Sequence, residues 1–359
     1  MLDDLKKGLQ ETSQKTSVEA KQNQCKDTEN SVQSVQNDKI ISTDNVYPEK
    51  LNQVPEQVGF FRVRTANQCI QDAKGQPIPR NLYNSLIFEN EITTLFSDTG
   101  VGKTVLAVQI AVKISETDKV LYIDLELSDK QFQKRYSEDY KNEYVFNENL
   151  IRINFATQFK IPQGWKYNDY FMESLKQLIS STEAKIVIID NMTKLISEDT
   201  DSARTAKPLM DSLVDLKFEY GLTLILLEHT RKINESRHIK LDDLQGSKMK
   251  ANFTDAAFAI GRSAKGENIR YLKQLKCRSS EFVFNSEHVV VLELVKENSF
   301  LHFKFLEYSS EFEHLKERSE EDRVKKKQEA TALKAQGLSN CEIARRLGVS
   351  EGAIRKWLK

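Results

Sequence analysis

The sequence has little cysteine, little histidine and no excess of either charge. Its four cysteines are scattered without a C-x-x-C pair, and its five histidines show no metal-ligand spacing. These patterns give no zinc site and fit a reducing compartment. Lys and Arg together number 53, as do Asp and Glu, so the overall charge gives no argument for a nucleic-acid partner.

Long apolar runs are missing as well. No stretch of about 18 apolar residues is present, and the first residues lack the apolar core of a secretory signal. We therefore expect no membrane span and a cytoplasmic protein. Residues 1 to 50 are rich in Gln, Asn, Ser, Thr, Lys and Glu without any period, so the sequence predicts a disordered segment over residues 1–55.

What is present is a near match to the phosphate-binding pattern G-x-x-x-x-G-K-[ST]. Its first position holds serine where the pattern has glycine, while the later Gly, Lys and Thr stand at the required spacing. A β-branched run precedes the motif and a helical apolar pattern follows it, which is the setting that the motif requires. The predicted nucleotide-binding loop consists of Ser97, Asp98, Thr99, Gly100, Val101, Gly102, Lys103, Thr104 and Val105.

The chemistry of such a loop follows from its geometry. Small residues let backbone N–H groups point at phosphate oxygens, and the next helix adds a partial positive charge. Lys103 would reach the β- and γ-phosphates of ATP, and the Thr104 hydroxyl would bind Mg²⁺. The competing interpretation is a glycine-containing turn before a core helix.

Carboxylates end two of the predicted strands. Alternation places Asp124 and Glu126 on one face, and Glu126 is nearer the carboxyl end, where open α/β sheets place their sites. We predict Glu126 as the base that polarises the attacking water and Asp124 as a supporting group. Asp190 ends an apolar strand and is predicted to help hold Mg²⁺. The alternatives are a charged strand exit and a carboxylate capping a turn.

Strands and helices alternate from about residue 90, which predicts an α/β fold with a mostly parallel sheet sandwiched by helices. Antiparallel strands, with a hairpin turn at 296–299, are predicted at its C-terminal edge. Predicted strands cover 92–96, 119–125, 150–154, 185–190, 222–228, 256–260, 269–275, 287–295 and 300–307, and helices cover 103–115, 128–137, 167–181 and 203–219. The predicted ATPase domain spans residues 56–310.

Residues 60–308 resemble the RecA-like ATPases, through the loop, the run Asp-Leu-Glu-Leu-Ser at 124–128 and the run Ile-Ile-Asp-Asn at 188–191. The most similar branch is the RepA-type hexameric helicases of plasmids and mobile elements, with DnaB-type and KaiC/RadA-like proteins as relatives. This resemblance implies an ATP-hydrolysing, Mg²⁺-dependent helicase that acts in DNA replication. It also implies a homo-oligomeric ring, a hexamer in this branch, contact with other replication proteins, and a catalytic role for Glu126.

The resemblance implies further roles after residue 225. His229 would sense the γ-phosphate, and Lys276 and Arg278 would reach the γ-phosphate of a neighbouring subunit. The region around 245–255 would face a central channel, where basic residues would contact DNA: Lys232, Arg237, Lys240, Lys248 and Lys250. The alternatives are a hydrogen-bonded histidine, an ordinary basic strand end and a solvated surface.

The last 50 residues predict a charged, solvated helical linker over 311–330 and a helix-turn-helix over 331–359, which resembles resolvase and sigma-factor-like DNA-binding units. Residues 323–359 include ten basic and three acidic residues. This excess of positive charge is suited to DNA binding. Predicted DNA contacts are Arg345, Arg346, Ser350, Glu351, Gly352, Arg355 and Lys356. A helical hairpin for protein contact is the alternative. Two functions remain open: a DNA motor, and a DNA-bound ATP switch without unwinding activity.

Overall fold

The computed structural model describes most of the chain from residue 56 onwards. The described ranges are 56–156, 159–195, 203–230, 233–244, 247–316, 320–347, 349 and 351–358. The predicted disordered segment over 1–55 lies outside them. Within these ranges, none of the helices is long and apolar enough to cross a membrane.

The chain divides into two compact units, Met1–Pro79 and Arg80–Lys359. The described part of the first contains strands β1 (Gln57–Val58) and β2 (Phe61–Arg62) and helix α1 (Ala66–Lys74). Thr65 and Gln68 form a capping box that begins this helix, yet none of its residues is buried. The buried core of the described residues therefore belongs to the second unit.

The second unit is built on a nine-stranded sheet in the order β15-β14-β13-β12-β5-β11-β10-β6-β9. Its central strands are β5 (Ile92–Ser97), β6 (Val120–Asp124), β9 (Leu150–Ile153), β10 (Ile186–Asp190), β11 (Thr223–His229) and β12 (Ala256–Arg262), all parallel to their neighbours within this group. The antiparallel strands β13 (Ile269–Lys276), β14 (Val289–Glu297) and β15 (Phe300–Ser309) complete one edge. The predicted fold class is confirmed.

Helices cover both faces of the sheet because its parallel strands are apolar on both sides. Ile186 and Ile188 of β10 pack in the cluster that contains helix α2 (Lys103–Ser115). Val187 and Ile189 pack in a second cluster with α4 (Tyr167–Thr182) and α5 (Ala203–Tyr220). Alternation within one strand thus assigns successive residues to opposite layers.

Short elements connect and decorate these layers. Helix α3 (Asp129–Arg135) follows β6, and helix α6 (Ser247–Phe253) precedes β12. The small strands are β3 (Asn81–Tyr83), β4 (Ile87–Phe88), β7 (Ser137–Glu138) and β8 (Asn142–Glu143). The predicted hairpin turn is present: Asn298 and Ser299 both have positive φ, 50° and 64°, as a two-residue turn requires.

The segment after β15 differs from the predicted solvated linker. A 3-10 helix over Glu311–His314 packs into the core, where Glu311 and His314 are fully buried. Glu311 is held by the Lys273 ammonium at 2.6 Å and by the Ile239 N–H at 2.8 Å. Charge density alone predicted solvation here, but buried partners that are distant in sequence compensate this carboxylate.

The C-terminal helices are α7 (Glu320–Ala335), α8 (Asn340–Leu347) and α9 (Glu351–Trp357). Their shared core consists of Ala330, Leu333, Ile343, Ala344, Leu347 and Ile354. Because Ala330 and Leu333 belong to α7, the predicted boundary between linker and helix-turn-helix at residue 330 falls inside a continuous helix. The unit is thus a three-helix arrangement that includes the end of α7.

Candidate active site

The phosphate-binding motif connects β5 to α2 and needs glycine at two positions. Gly100 has φ +71° and Gly102 has φ +116°, both in the left-handed region that L side chains avoid. A Cβ atom at Gly102 would lie 2.6 Å from the Phe303 ring. The loop is therefore shaped by its own backbone and by packing against β15.

Ser97 occupies the position where the pattern expects glycine, and the structure explains why serine fits. It is the last residue of β5, is fully buried and is not among the residues with positive φ. Its hydroxyl donates to the Asp98 carbonyl at 2.9 Å. An extended residue tolerates a small side chain, so this departure from the pattern leaves the loop geometry intact.

Lys103 is a buried cation whose direct hydrogen bonds go to neutral groups, while Asp190 and Glu126 act on it at longer range. Its ammonium donates to the Ser97 carbonyl and to Nδ1 of His229, both at 3.1 Å, and no carboxylate of the described residues forms a salt bridge with it. Two other buried lysines, Lys250 and Lys273, each have a carboxylate oxygen at 2.6 Å. Burial lowers the pKa of Lys103. Because burying an ammonium without a salt-bridge partner costs free energy, this position is suited to binding an anionic ligand.

Asp190 and Thr104 provide the oxygen ligands that a magnesium ion prefers. Oδ2 of Asp190 accepts from the Tyr122 hydroxyl at 2.7 Å, while Oδ1 is buried without a hydrogen bond to the described residues. Burial raises the pKa of Asp190 to about 6, and the hydroxyls of Thr104 and Tyr122 pull it back down. The described residues hold no cluster of three or more His, Cys, Asp or Glu side chains for a metal, but Mg²⁺ typically takes one or two protein ligands beside phosphate oxygens.

Glu126 and Asp124 lie beside each other at the end of β6 but differ in environment. Asp124 is buried, accepts from the N–H groups of Glu126 and Leu127, and pairs with Arg152 at 2.9 Å. Glu126 is partly exposed and contacts Asn191 and His229. Asp124 is thus fixed by its hydrogen bonds and its ion pair, whereas Glu126 stays accessible; the supporting role of Asp124 stays a prediction.

His229 connects Lys103 with Glu126. Because the Lys103 ammonium can only donate, Nδ1 of His229 accepts and Nε2 carries the proton. Nε2 lies 3.4 Å from Oε1 of Glu126. The hydrogen bond from His229 is the largest cause that lowers the pKa of Glu126, so Glu126 is ionised at neutral pH. The base, the sensor and the loop lysine predicted from the sequence therefore lie together.

Asn191 was not predicted from the sequence. It directly follows β10, is buried, and donates its amide N–H to Glu126. Its position beside Asp190 at the carboxyl end of a central strand was the available signal. The sequence offered no means of knowing which neighbour its amide would contact.

Lys276 and Arg278 lie at the opposite end of the sheet from the loop. The Lys276 ammonium donates to the carbonyls of Ala251 and Thr254 at 2.7 and 2.5 Å. Arg278 pairs with Asp255 at 3.1 Å, the residue just before β12. The structure therefore does not bring these two cations to their own chain's loop.

The basic residues predicted to line a DNA channel differ in burial and in their ion-pair partners. Lys250 is buried in an ion pair with Glu228, and Arg237 pairs with Asp243 at 2.5 Å. These two charges are compensated internally, which corrects the prediction of free positive charge at their positions. Lys240 is exposed. Lys232 lies outside the described residues, as does the side chain of Lys248.

The predicted DNA-contacting residues lie on α8 and α9. Arg345, Arg346, Gly352, Arg355 and Lys356 are exposed, and Arg355 pairs with Glu351 at 2.8 Å one turn earlier. Ser350 lies outside the described residues. Exposed basic side chains on the last helix give this unit the positive surface that phosphate contact requires.

Two family models each match one region of the chain. Residues 61–235 match the family model described as AAA domain, and residues 321–359 match the model described as homeodomain-like domain. No curated protein matches the sequence.

Two solved structures are similar to part of this chain. A KaiC-like protein from the archaeon Pyrococcus horikoshii OT3 has 15% identity and a TM-score of 0.42, covering 62% of this chain and 94% of its own. The second structure, an ATPase domain, has 18% identity and a TM-score of 0.48, covering 66% of this chain and 95% of its own. The chain thus contains a region similar to AAA domains and, after it, a region similar to homeodomain-like domains.

Proposed function

We propose that this protein is a Mg²⁺-dependent ATPase that acts on DNA. The observation that carries the proposal is the group at the sheet edge: the buried Lys103, which forms no salt bridge with the described residues, lies beside His229, which contacts the accessible carboxylate of Glu126. A buried cation next to an amide-lined loop binds phosphate. A carboxylate ionised at neutral pH, held by two donors, orients water.

Each residue has a defined part in hydrolysis. Lys103 binds the phosphate oxygens, and the loop amides after Gly100 surround them. Glu126 accepts a proton from the attacking water, while Asn191 and His229 keep the carboxylate in place. Mg²⁺ held by Thr104 and Asp190 would supply charge neutralisation for the departing phosphate.

We infer that the DNA-directed activity is that of a ring helicase or replication ATPase of a plasmid or mobile element. In such a ring, Lys276 and Arg278 of one copy would reach the phosphates bound by the next copy, where their charge stabilises the transition state. Their position at the far end of the sheet agrees with action between copies. The domain from residue 80 to 316 would be the motor, and α7 to α9 would bring it to duplex DNA.

A DNA-bound switch is the second candidate. In this case the nucleotide state controls oligomerisation or partner recruitment, hydrolysis is slow and no unwinding occurs. The three-helix tail favours it, because a helicase channel has no need of a duplex reader. The contacts among Glu126, Asn191 and His229 favour the motor.

The two candidates are separated by assaying ATP hydrolysis and strand displacement for wild type, K103A and E126Q. The motor predicts DNA-stimulated hydrolysis and unwinding that survives removal of residues 318–359. The switch predicts hydrolysis without strand displacement under any condition. If neither substitution lowers hydrolysis, the assignment of the site is wrong.

A further inference from the structure

Two arginines face each other across neighbouring strands at the loop end of the sheet. Arg262 ends β12 and Arg270 lies near the start of β13, and they are register partners in the antiparallel pair. Like charges directly opposite each other on a sheet are destabilising. Burial lowers the pKa of Arg270, and the charge of Arg262 lowers it further. Such an arrangement needs compensation from its surroundings.

The compensation comes from the phosphate-binding loop. Nε of Arg270 donates to the Val101 carbonyl and Nη2 of Arg262 donates to the Thr99 carbonyl, each at 2.9 Å. These two carbonyls flank Gly100, whose φ of +71° turns the chain between them. Each arginine therefore holds one carbonyl of the loop.

The two side chains differ in how completely they are used. Arg270 is buried and its Nη1 also donates to the carbonyls of Glu267 and Ile269, at 2.6 and 2.8 Å. The Arg262 side chain is 39% exposed and makes a single hydrogen bond to the loop. Arg270 is part of the fold at this point, whereas Arg262 can be changed with little loss of packing.

The Arg262 guanidinium also has an acidic neighbour, Glu235. Its Nε lies 3.8 Å from Oε1 of Glu235, and Glu235 pairs with Lys316 at 2.6 Å. The backbone N–H of Lys316 donates to the Glu235 carbonyl at 3.0 Å. The carboxylate thus balances part of the charge of the arginine pair and keeps the Arg262 guanidinium against the loop.

We propose that Arg262 is a positioning residue for nucleotide binding: it holds the Thr99 carbonyl so that the loop amides stay directed at the phosphates. This inference rests on the proposed ATP-binding function. A loop with this carbonyl released would turn more freely, because Gly100 has access to both signs of φ. Its amides would then have to be ordered each time nucleotide binds, which weakens affinity and leaves the chemical step unchanged.

The test compares R262A, R262K and K265A for Kd of a fluorescent ATP analogue with Mg²⁺ and for kcat. We expect R262A to raise Kd about tenfold, as loss of one hydrogen bond from a charged donor would, with kcat within about threefold of wild type. R262K retains one donor and should restore most of the affinity. Lys265 lies in the same turn region and pairs with Glu313, so K265A should match wild type. Thermal melts check that each variant is folded.

Several results would overturn the proposal. One is an unchanged Kd in folded R262A; another is a loss of kcat without a change in Kd, which would place Arg262 at the reacting atoms. A third is R262K binding as weakly as R262A. K103A in the same titration separates the two levels: if wild type binds ATP and K103A does not, an unchanged R262A removes only this inference, whereas absent binding by wild type removes the proposed function as well.

Discussion

The cations at the two ends of the central sheet have different partners. At the end where β5 leads into the loop, Lys103 donates to a carbonyl and to a histidine, with no carboxylate in salt-bridge range among the described residues. At the other end Asp255 pairs with Lys217 at 2.8 Å and with Arg278 at 3.1 Å. Both ends are polar, but Lys103 is buried and forms no salt bridge with the described residues, whereas Lys217 and Arg278 share the carboxylate of Asp255.

This difference indicates where the ligand binds. Burying an ammonium is costly unless an anion accompanies it, and Asp255 is such an anion at the far end. At the loop end Lys103 forms no salt bridge with the described residues, and the carboxylate of Glu126 contacts the same histidine as Lys103. The anion expected there is the phosphate of the substrate.

The largest effect should come from removing the available charge. K103A takes away the phosphate-binding ammonium, and we expect turnover of ATP to fall on the order of a thousandfold with binding strongly weakened. K265A, which removes an exposed lysine paired with Glu313, is the control. Steady-state phosphate release measures both. An active K103A would show that the loop end is not the site.

Glu126→Gln should separate binding from chemistry. The amide keeps the shape of the side chain but cannot take a proton, so hydrolysis should fall by roughly several hundredfold while the affinity for ATP stays near that of wild type. Single-turnover hydrolysis and equilibrium titration give the two quantities. Glu116→Gln, at an exposed position after α2, serves as control. Equal rates for E126Q and wild type would move the base elsewhere.

At the far end, Arg278→Ala tests whether a compensated cation also acts between copies. We expect kcat of the assembled protein to fall about a hundredfold with ATP affinity retained. Mixing R278A with K103A should restore part of the activity, because some interfaces then join an intact loop to an intact arginine. Phosphate release from the mixture, against each variant alone, is the measurement. A mixture no more active than its components would indicate that Arg278 serves only its pair with Asp255.

Helices α8 and α9 carry exposed basic residues, and the ion pair between Arg355 and Glu351 accounts for only one of them. Replacing Arg345 and Arg346 by alanine should weaken binding to duplex DNA about tenfold at moderate salt and lower the salt dependence by about two counterions. Fluorescence anisotropy at several salt concentrations measures both. Unchanged affinity and slope would favour a protein partner for the three-helix unit.

The smallest effect concerns acid stability at a compensated site. Burial acts to raise the pKa of Glu311, but Lys273, the Ile239 N–H and His238 outweigh it, so the folded-state pKa is lowered. Its contribution to stability is therefore present above the unfolded value of about 4.3 and is lost as pH falls through the folded value. Melting temperatures from pH 7 to 3 should show this decline, and E311Q, less stable at pH 7, should show less of it. Parallel curves would remove Glu311 as the titrating group.

Much of this architecture follows from local patterns in the sequence. Continuous apolar strands and an intervening helical period were enough to predict the sheet, its parallel and antiparallel parts and the loop between β5 and α2. Because parallel strands end at one edge, Asp124, Asp190 and His229 could be expected near each other. The location of the site could therefore be predicted because the order of strands and helices could be predicted.

What the sequence did not show is pairing over long separations. Glu311 looked like one acidic residue of a solvated run, and its partner Lys273 lies 38 residues away. Lys250 looked like channel charge until Glu228 proved to be its buried partner. Arg262 and Arg270 contact loop carbonyls more than 160 residues earlier. Composition and periodicity carry no information on which charge meets which.

We propose that Lys103 and the accessible Glu126 at one sheet edge form an ATP-hydrolysing site. Phosphate release from ATP and Mg²⁺ by wild type, K103A and E126Q, measured side by side with a fluorescent ATP titration, is the decisive experiment. We expect turnover by wild type to exceed that of both variants by at least about a hundredfold, with nucleotide binding kept by E126Q and strongly weakened in K103A. Turnover by either variant at the rate of wild type would contradict it.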